Sequence, residues 1–226
     1  MSNKNLGDGN TLGDDNTLGN RNTLGDDNTL GNRNTLGTRN TLGTRNTLGN
    51  RNTLGTRNTL GDDNTLGDYN TLGDYNTLGT RNTLGDYNTL GNRNTLGDYN
   101  TLGDDNTLGN HNILGDYNTL GDDNTLGNHN ILGDGFKHGK NFTMSGVKVL
   151  ALMNMSNVDG SGRKILIIVH KNGIKIEAGC FSGTLNEFCT KAESEGKTRY
   201  VKVVKAAALA LLEDVISGLS QETTKE

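Results

Sequence analysis

Leu occupies every sixth position from Leu6 to Leu132, 22 times without a slip, and Gly follows each one from Gly7 to Gly133. Asn stands two before Leu from Asn10 to Asn130, with Lys4 in that place in the first repeat. Thr stands one before Leu except at Asn5, Ile113 and Ile131. The unit is Asn-Thr-Leu-Gly-x-x, with Asp-Asp, Asn-Arg, Thr-Arg, Asp-Tyr or Asn-His as the x pair. One Leu per hexapeptide cannot build the stripe of a 3.6-residue helix, and a Gly in every unit would cost a helix about 1 kcal/mol each. An even period suits strands: Asn and Leu point to one side and Thr to the other. The Gly and the polar pair then form the corner, where unusual backbone angles are expected.

A single repeat cannot stay folded. Ordering its backbone costs on the order of 6–12 kcal/mol, and one buried Leu returns about 1.5–3 kcal/mol. Stacking adds backbone hydrogen bonds between coils, at roughly 1 kcal/mol each net, and a ladder of inward Asn amides. An array of this kind is cooperative only when long.

The periodicity stops at Gly135, so the predicted domains are a solenoid over 1–135 and a small α+β domain over 136–226. Phe136 to Ser145 reads as a connector that covers the last coil. Strands are predicted at Val147–Met155 and Ile165–His170, with Lys171-Asn172-Gly173 as a hairpin turn. Ile174, Ile176 and Ala178 alternate with Lys175 and Glu177, the pattern of a half-buried strand. Thr184-Leu185-Asn186-Glu187 is a capping box opening a helix whose apolar face is Leu185, Phe188, Cys189 and Ala192. A second helix runs from about Thr198 to Leu219, with Tyr200, Val203, Val204, Ala207, Leu211 and Val215 on one face.

Composition alone, with 33 Gly in 226 residues and 4% aromatics, suggests disorder. The strict period overrides that inference. Residues 1–135 carry 17 Asp/Glu against 9 Lys/Arg and the remainder 9 against 13, so neither half makes nucleic acid the expected partner. No secretory apolar segment follows Met1 and no long apolar run occurs. With only Cys180 and Cys189 there is no disulfide framework. The expected setting is a reducing cytoplasm, that of a host cell, or a virion, with no membrane partner.

Asn10-Thr11-Leu12-Gly13 and its copies resemble the hexapeptide pattern of left-handed parallel β-helices across all of 1–135. The period of six excludes the pentapeptide-repeat class. The resemblance implies triangular coils of three hexapeptides, hence about seven 18-residue coils. That step is also visible directly: residues 102–117 recur at 120–135 with one difference, although the early repeats alternate Asp-Asp with Asn-Arg at every second unit instead. The expected fold is therefore mainly β, a left-handed parallel β-helix followed by a hairpin or meander with two helices.

With three hexapeptides per coil, the second corner residues stack in three columns. One reads Arg21, Arg39, Arg57, Tyr75, Arg93, His111, His129. A second reads Asp15, Arg33, Arg51, Tyr69, Tyr87, Asp105, Asp123, and the third runs from Gly9 and Asp27 through Arg45, Asp63, Arg81, Tyr99 and Tyr117 to Gly135. Stacked Arg side chains repel, so acidic neighbours or an anionic partner should lie near them. Residues 178–188 (AGCFSGTLNEF), with the Tyr200–Leu212 helix after them, resemble a small domain of uncharacterised bacteriophage and prophage proteins over about 147–213. That resemblance implies phage origin and no particular chemistry.

Four sharper chemistries compete with plainer readings. His111 and His129 suit acyl-transfer bases, since many left-handed β-helices are trimeric acyltransferases, but no loop interrupts the coils and Asn-His reads as one more corner pair. Cys180 and His170 could pair as thiol and imidazole, yet no third orienting group is present and a buried, apolar role for Cys180 is expected, as for Cys189. The outward Thr array suits ice binding but lacks a second rank. Asp corners suit calcium only if six or more oxygens converge, and here Arg is interleaved. The sequence thus predicts a non-enzymatic structural or binding protein with no catalytic residue, metal or cofactor, and a homo-oligomer with a trimer favoured. The alternatives are a phage anti-defence or ligand-sequestering protein using the Arg21 to His129 column or inter-subunit grooves, an ice-binding protein, and an acyltransferase-like β-helix.

Overall fold

The computed structural model describes residues 5–156, 158, 160 and 162–222, with the side chains of 218–222 excepted. Part of the first coil, at Asn3 and Lys4, lies outside the described residues. The chain forms two compact units, Met1–Gly146 and Val147–Glu226.

The first unit is a three-sided parallel solenoid. Each repeat contributes one short Thr-Leu strand, and each strand pairs in parallel with the strand three repeats further along, as in Thr11↔Thr29 and Leu12↔Leu30. Thr17↔Thr35 and Thr23↔Thr41 open the other two sheets in the same register. A closed three-sided coil follows directly from this register. Leu24 to Leu132 are all within 2% of complete burial, and the Asn residues from Asn22 to Asn130 are buried beside them. Thr faces outward, as the two-residue alternation requires.

The backbone N–H groups of the repeat bond to adjacent coils, except that a first-corner N–H has such a bond only where the coil before supplies Asp or Asn rather than Thr at that place. Around one set of neighbours, Thr29 N donates to Asn10 O at 2.8 Å and Gly31 N to Leu12 O at 2.8 Å. Leu6 N donates the other way, to Thr23 O at 2.9 Å, and Arg21 N to Thr38 O at 3.0 Å. Side chains accept the two that remain. Asn46 N donates to Asn64 Oδ1 at 2.8 Å, and Asn32 N to Asp14 Oδ1 at 2.7 Å. The expected Asn ladder is therefore side chain to backbone rather than amide to amide. In part of the ladder the Asn Nδ2 closes its own turn, as Asn64 Nδ2 does on Gly61 O at 2.8 Å, while that of Asn34, Asn40, Asn46, Asn58, Asn82 and Asn94 is buried without a hydrogen bond.

The unusual backbone angle sits on a different residue from the one expected. From Asp15 to His129 the second corner residue carries φ between 55° and 61°, while the repeat Gly from Gly13 to Gly133 has no positive φ. The repeat Gly answers a close approach instead. A Cβ on Gly79 would lie 2.1 Å from Asp62 Oδ1 and 2.9 Å from the Gly61 carbonyl. The space a methyl group would need is taken by the coil before it.

Coiling continues past Gly135. Lys137–His138 pairs with Thr119–Leu120, and Thr143–Met144 with Thr125–Leu126, both in parallel. The segment read as a connector thus adds two more sides. Phe142 and Met144 are fully buried; His138 stacks on Phe142 at 4.5 Å, and Phe136 packs tilted against both with centroids 5.9 and 6.3 Å away. In the hexad phase Phe136 and Phe142 replace Asn, so the ladder ends in aromatic rings.

The second unit holds a four-stranded antiparallel sheet in chain order, Ala151–Ser156, Lys164–His170, Gly173–Ala178 and Phe181–Thr184. Helices Leu185–Ser194 and Thr198–Glu222 follow. The last strand was not predicted, because Phe-Ser-Gly-Thr has no apolar alternation. The capping box is present: Glu187 N donates to Thr184 Oγ1, and Thr184 N to Glu187 Oε2 at 2.7 Å. Ile165, Ile167, Val169, Ile176 and Ala178 pack with Phe188, Ala192, Tyr200, Val204 and Ala208 as one core. Among the sheet and helix side chains, Val203 and Glu177 depart from expectation. Val203 is exposed, and Glu177 is buried because the opposite face of the central strand, with Leu166 and Ile168, is buried as well.

Candidate functional site

The corners give the solenoid its outward chemistry. The first residue of each pair is largely consumed in structure: Asp62 Oδ1 accepts Thr80 N at 2.7 Å, and Asp104 Oδ1 accepts Asp122 N at 2.7 Å. These carboxylates do not converge, and among the described residues no group of three or more His, Cys, Asp or Glu could hold a metal ion. The second residue projects outward. Its left-handed backbone stacks it on the equivalent residue of the next coil, and the three predicted columns all form.

Charge is resolved differently in each column. In the third, Arg45 Nε bonds Asp27 at 2.8 Å and Arg81 Nε bonds Asp63 at 2.7 Å. The Arg45 and Arg81 hydrogen bonds hold the Asp27 and Asp63 carboxyls below the usual carboxylate range, against a smaller opposing effect of desolvation. In the second, Arg33 bonds Asp15 at 2.7 Å, Arg51 lies 5.7 Å over the Tyr69 ring, and Tyr69 stacks on Tyr87 at 4.9 Å. The Asp105 carboxylate, with its hydrogen bond, pushes the Tyr87 phenol up.

The first column lacks such compensation at its N-terminal end. Arg21, Arg39 and Arg57 stand in succession, and among the described residues no ion pair joins them to an acid. They line a groove of about 570 Å³ with Asn20, Thr38, Thr56, Asp74 and Tyr75. Beyond it, Arg57 and Arg93 flank the Tyr75 ring at 5.8 and 5.5 Å, and Arg93 donates to Tyr75 Oη. His111 and His129 stack at 5.1 Å and close the column. All seven candidate residues therefore lie on one edge, in the predicted order. The uncompensated charge is confined to the first three. Acidic neighbours answer the Arg repulsion in columns two and three, whereas in column one no ion pair among the described residues holds the first three Arg and Asp74 is the one acid in the lining of their groove.

The cysteine and histidine readings of the second unit need correction. Cys180 is exposed, not buried, because it lies in the turn between two strands. His170 pairs with Gly173 at one end of the hairpin, while Ile165 pairs with Ala178 at the other, so the thiol and imidazole sit at opposite ends. Burial and the nearby Lys175 lower the His170 pKa. Cys189 is half-buried against the core, and desolvation raises its thiol pKa.

No protein family, curated protein or solved structure matches the chain. The solenoid accordingly stands on its strand register, and the resemblance of the second unit to a phage domain has no further support. No helix of the described residues is long and apolar enough to cross a membrane.

Proposed function

We propose that this chain is a non-enzymatic binding scaffold whose solenoid displays columns of side chains to a partner at fixed spacing. The observation that carries this reading is the unbroken three-repeat register from Thr11 to Thr143, with no loop leaving any coil to build a pocket. His111 and His129 accordingly read as a stacked corner pair. Phage origin, and a host-cell or virion setting, rest on the resemblance of the second unit alone.

A second reading has its own observation. Arg21, Arg39 and Arg57 form an uncompensated cationic strip, with steps of about 4.8 Å between coils, suited to an anion of two or more charges. The two readings separate in a thermal-shift assay with inorganic tripolyphosphate, ATP and acyl-coenzyme A. A scaffold for macromolecules is stabilised by none of them. A sequestering protein is stabilised by tripolyphosphate or ATP, and Arg39→Ala removes most of the shift. Turnover of acyl-coenzyme A, lost in His111→Ala, overturns the non-enzymatic reading altogether.

We also propose self-association, with a trimer favoured, since the exposed Thr ranks and Tyr corners repeat along each side. Sedimentation of the intact chain decides this point: a trimer supports it and a monomer overturns it.

A further inference from the structure

The second unit contains a pocket that the scaffold reading does not use. It has a volume of about 130 Å³ and lies where the turn at Cys180, the first helix and the start of the second helix meet. Its floor is apolar: Ala178, Phe188, Ala192 and Tyr200 are each at most 5% exposed. Phe181 stands edge-on to Phe188 at 5.7 Å, and Phe188 packs on Tyr200 at 5.3 Å. Its rim is cationic. Among the described residues that line it are three cations, Arg163, Lys191 and Lys197, and one acid, Glu195. Lys197 Nζ bonds Glu195 at 2.9 Å, and Lys191 and Arg163 also lower the Glu195 pKa through their charge. Lys191 Nζ lies 5.6 Å over the Phe181 ring, at the boundary between rim and floor.

We infer that this pocket binds a small monocarboxylate carrying one apolar ring. Size sets the apolar part: a dry protein cavity of about 150 Å³ holds one benzene, and the space here is slightly smaller. Charge sets the polar part, because a rim with this cationic excess over an apolar floor favours a ligand with one anionic end and one apolar end. Lys191, placed over Phe181, can meet the carboxylate while the ring rests on Phe188 and Tyr200. Cys180 on the rim supplies a reporter, being exposed where Cys189 is half-buried.

The test uses the full chain with benzoate as probe and benzamide as its neutral counterpart. Titration calorimetry should show saturable benzoate binding with a Kd of about 1 mM or tighter, and binding of benzamide at least about ten-fold weaker. Lys191→Gln should weaken benzoate about five-fold or more. Lys171→Gln, which removes an exposed charge outside the pocket, should leave it unchanged. Saturating benzoate should also slow iodoacetamide alkylation of Cys180, followed by mass spectrometry, and leave that of Cys189 unaltered. No saturable binding up to about 10 mM, equal binding of benzamide, or equal weakening by Lys171→Gln would overturn the assignment. These outcomes are independent of the solenoid's Arg groove, which lies in the other unit.

Discussion

The backbone at Arg39 has φ of 60°, a left-handed conformation that costs a residue with a Cβ roughly 1–2 kcal/mol. The repeat accepts this cost at every corner from Asp15 to His129. In return the turn directs the corner N–H to the following coil and the first corner side chain to the coil after its own. The residues chosen fit that geometry. Asp, Arg, Tyr and His occupy the second place and β-branched residues never do, whereas Thr is admitted at the first place, at Thr38, Thr44, Thr56 and Thr80. Arg39 has no ion-pair partner that its loss would confound, so it isolates the backbone contribution. Arg39→Val should lower stability by about 1–2 kcal/mol relative to Arg39→Asn, because a β-branched side chain is least tolerated at positive φ. Urea denaturation of the two variants measures the difference, and equal midpoints would show that the corner angle is not what restricts this position. The asymmetry between the two corner places was already visible in the sequence. Gly drew the conformational argument because it is the usual carrier of such angles, yet its reason here is the 2.1 to 2.9 Å approach of the preceding coil.

At the scale of elements, what could be read from the sequence follows how strongly each one repeats. Leu, Asn and Thr recur in a fixed phase, so their inward and outward faces and the three corner columns could all be written down before any coordinates. The capping box and the Ile174–Ala178 alternation carried the hairpin and first helix for the same reason: each is a local pattern with one physical meaning. Failures came where the pattern was degenerate or the burial was non-local. The final sides of the solenoid keep Gly139, Thr143 and the hexapeptide phase, but exchange Asn for Phe136 and Phe142 and Leu for His138 and Met144. A search for Leu alone stops too early, whereas a search for phase would have continued to Met144. Phe181–Thr184 becomes a strand through pairing with Lys175 to Ala178 and has little propensity of its own. Glu177 is polar by sequence and buried by the packing of a second sheet face, which a single strand cannot reveal. The Arg groove occupies a middle position: its column was legible, but the pairing that neutralises the other two columns and spares this one appears only with the contacts. The pocket of the second unit was not legible at all, since it draws single residues from a turn and two helices.

At the scale of the whole solenoid, near-identical repeats separate folding from the arrangement of the corners. Any hexapeptide can serve as any side of a coil, because the inter-coil bonds involve only the backbone, the Asn ladder and the first corner residue. Removing residues 46–51, one full unit, should therefore leave the fold intact and rotate every later corner by one side. Arg57 then leaves the first column, and Asp63 takes its place beside Arg39. The existing attraction between Arg45 and Asp63, also one coil apart, shows that charges on neighbouring coils interact at this step. The Asp15–Arg33 and Asp27–Arg45 pairs stay in register. A control deletion of 76–81 also removes one unit and one Arg but leaves Arg21, Arg39 and Arg57 in succession. Both variants should keep the β circular-dichroism signal and melt cooperatively, with midpoints within a few degrees of each other. If the Arg strip is an anion site, the 46–51 deletion should lose tripolyphosphate binding by about ten-fold or more while the 76–81 deletion retains it. Equal retention in both would remove the first column as the site and leave the solenoid as scaffold alone. Failure of either variant to fold would contradict the interchangeability of the repeats, and with it the claim that a closed coil of three hexapeptides, indifferent to the second residue of each corner, holds this unit together.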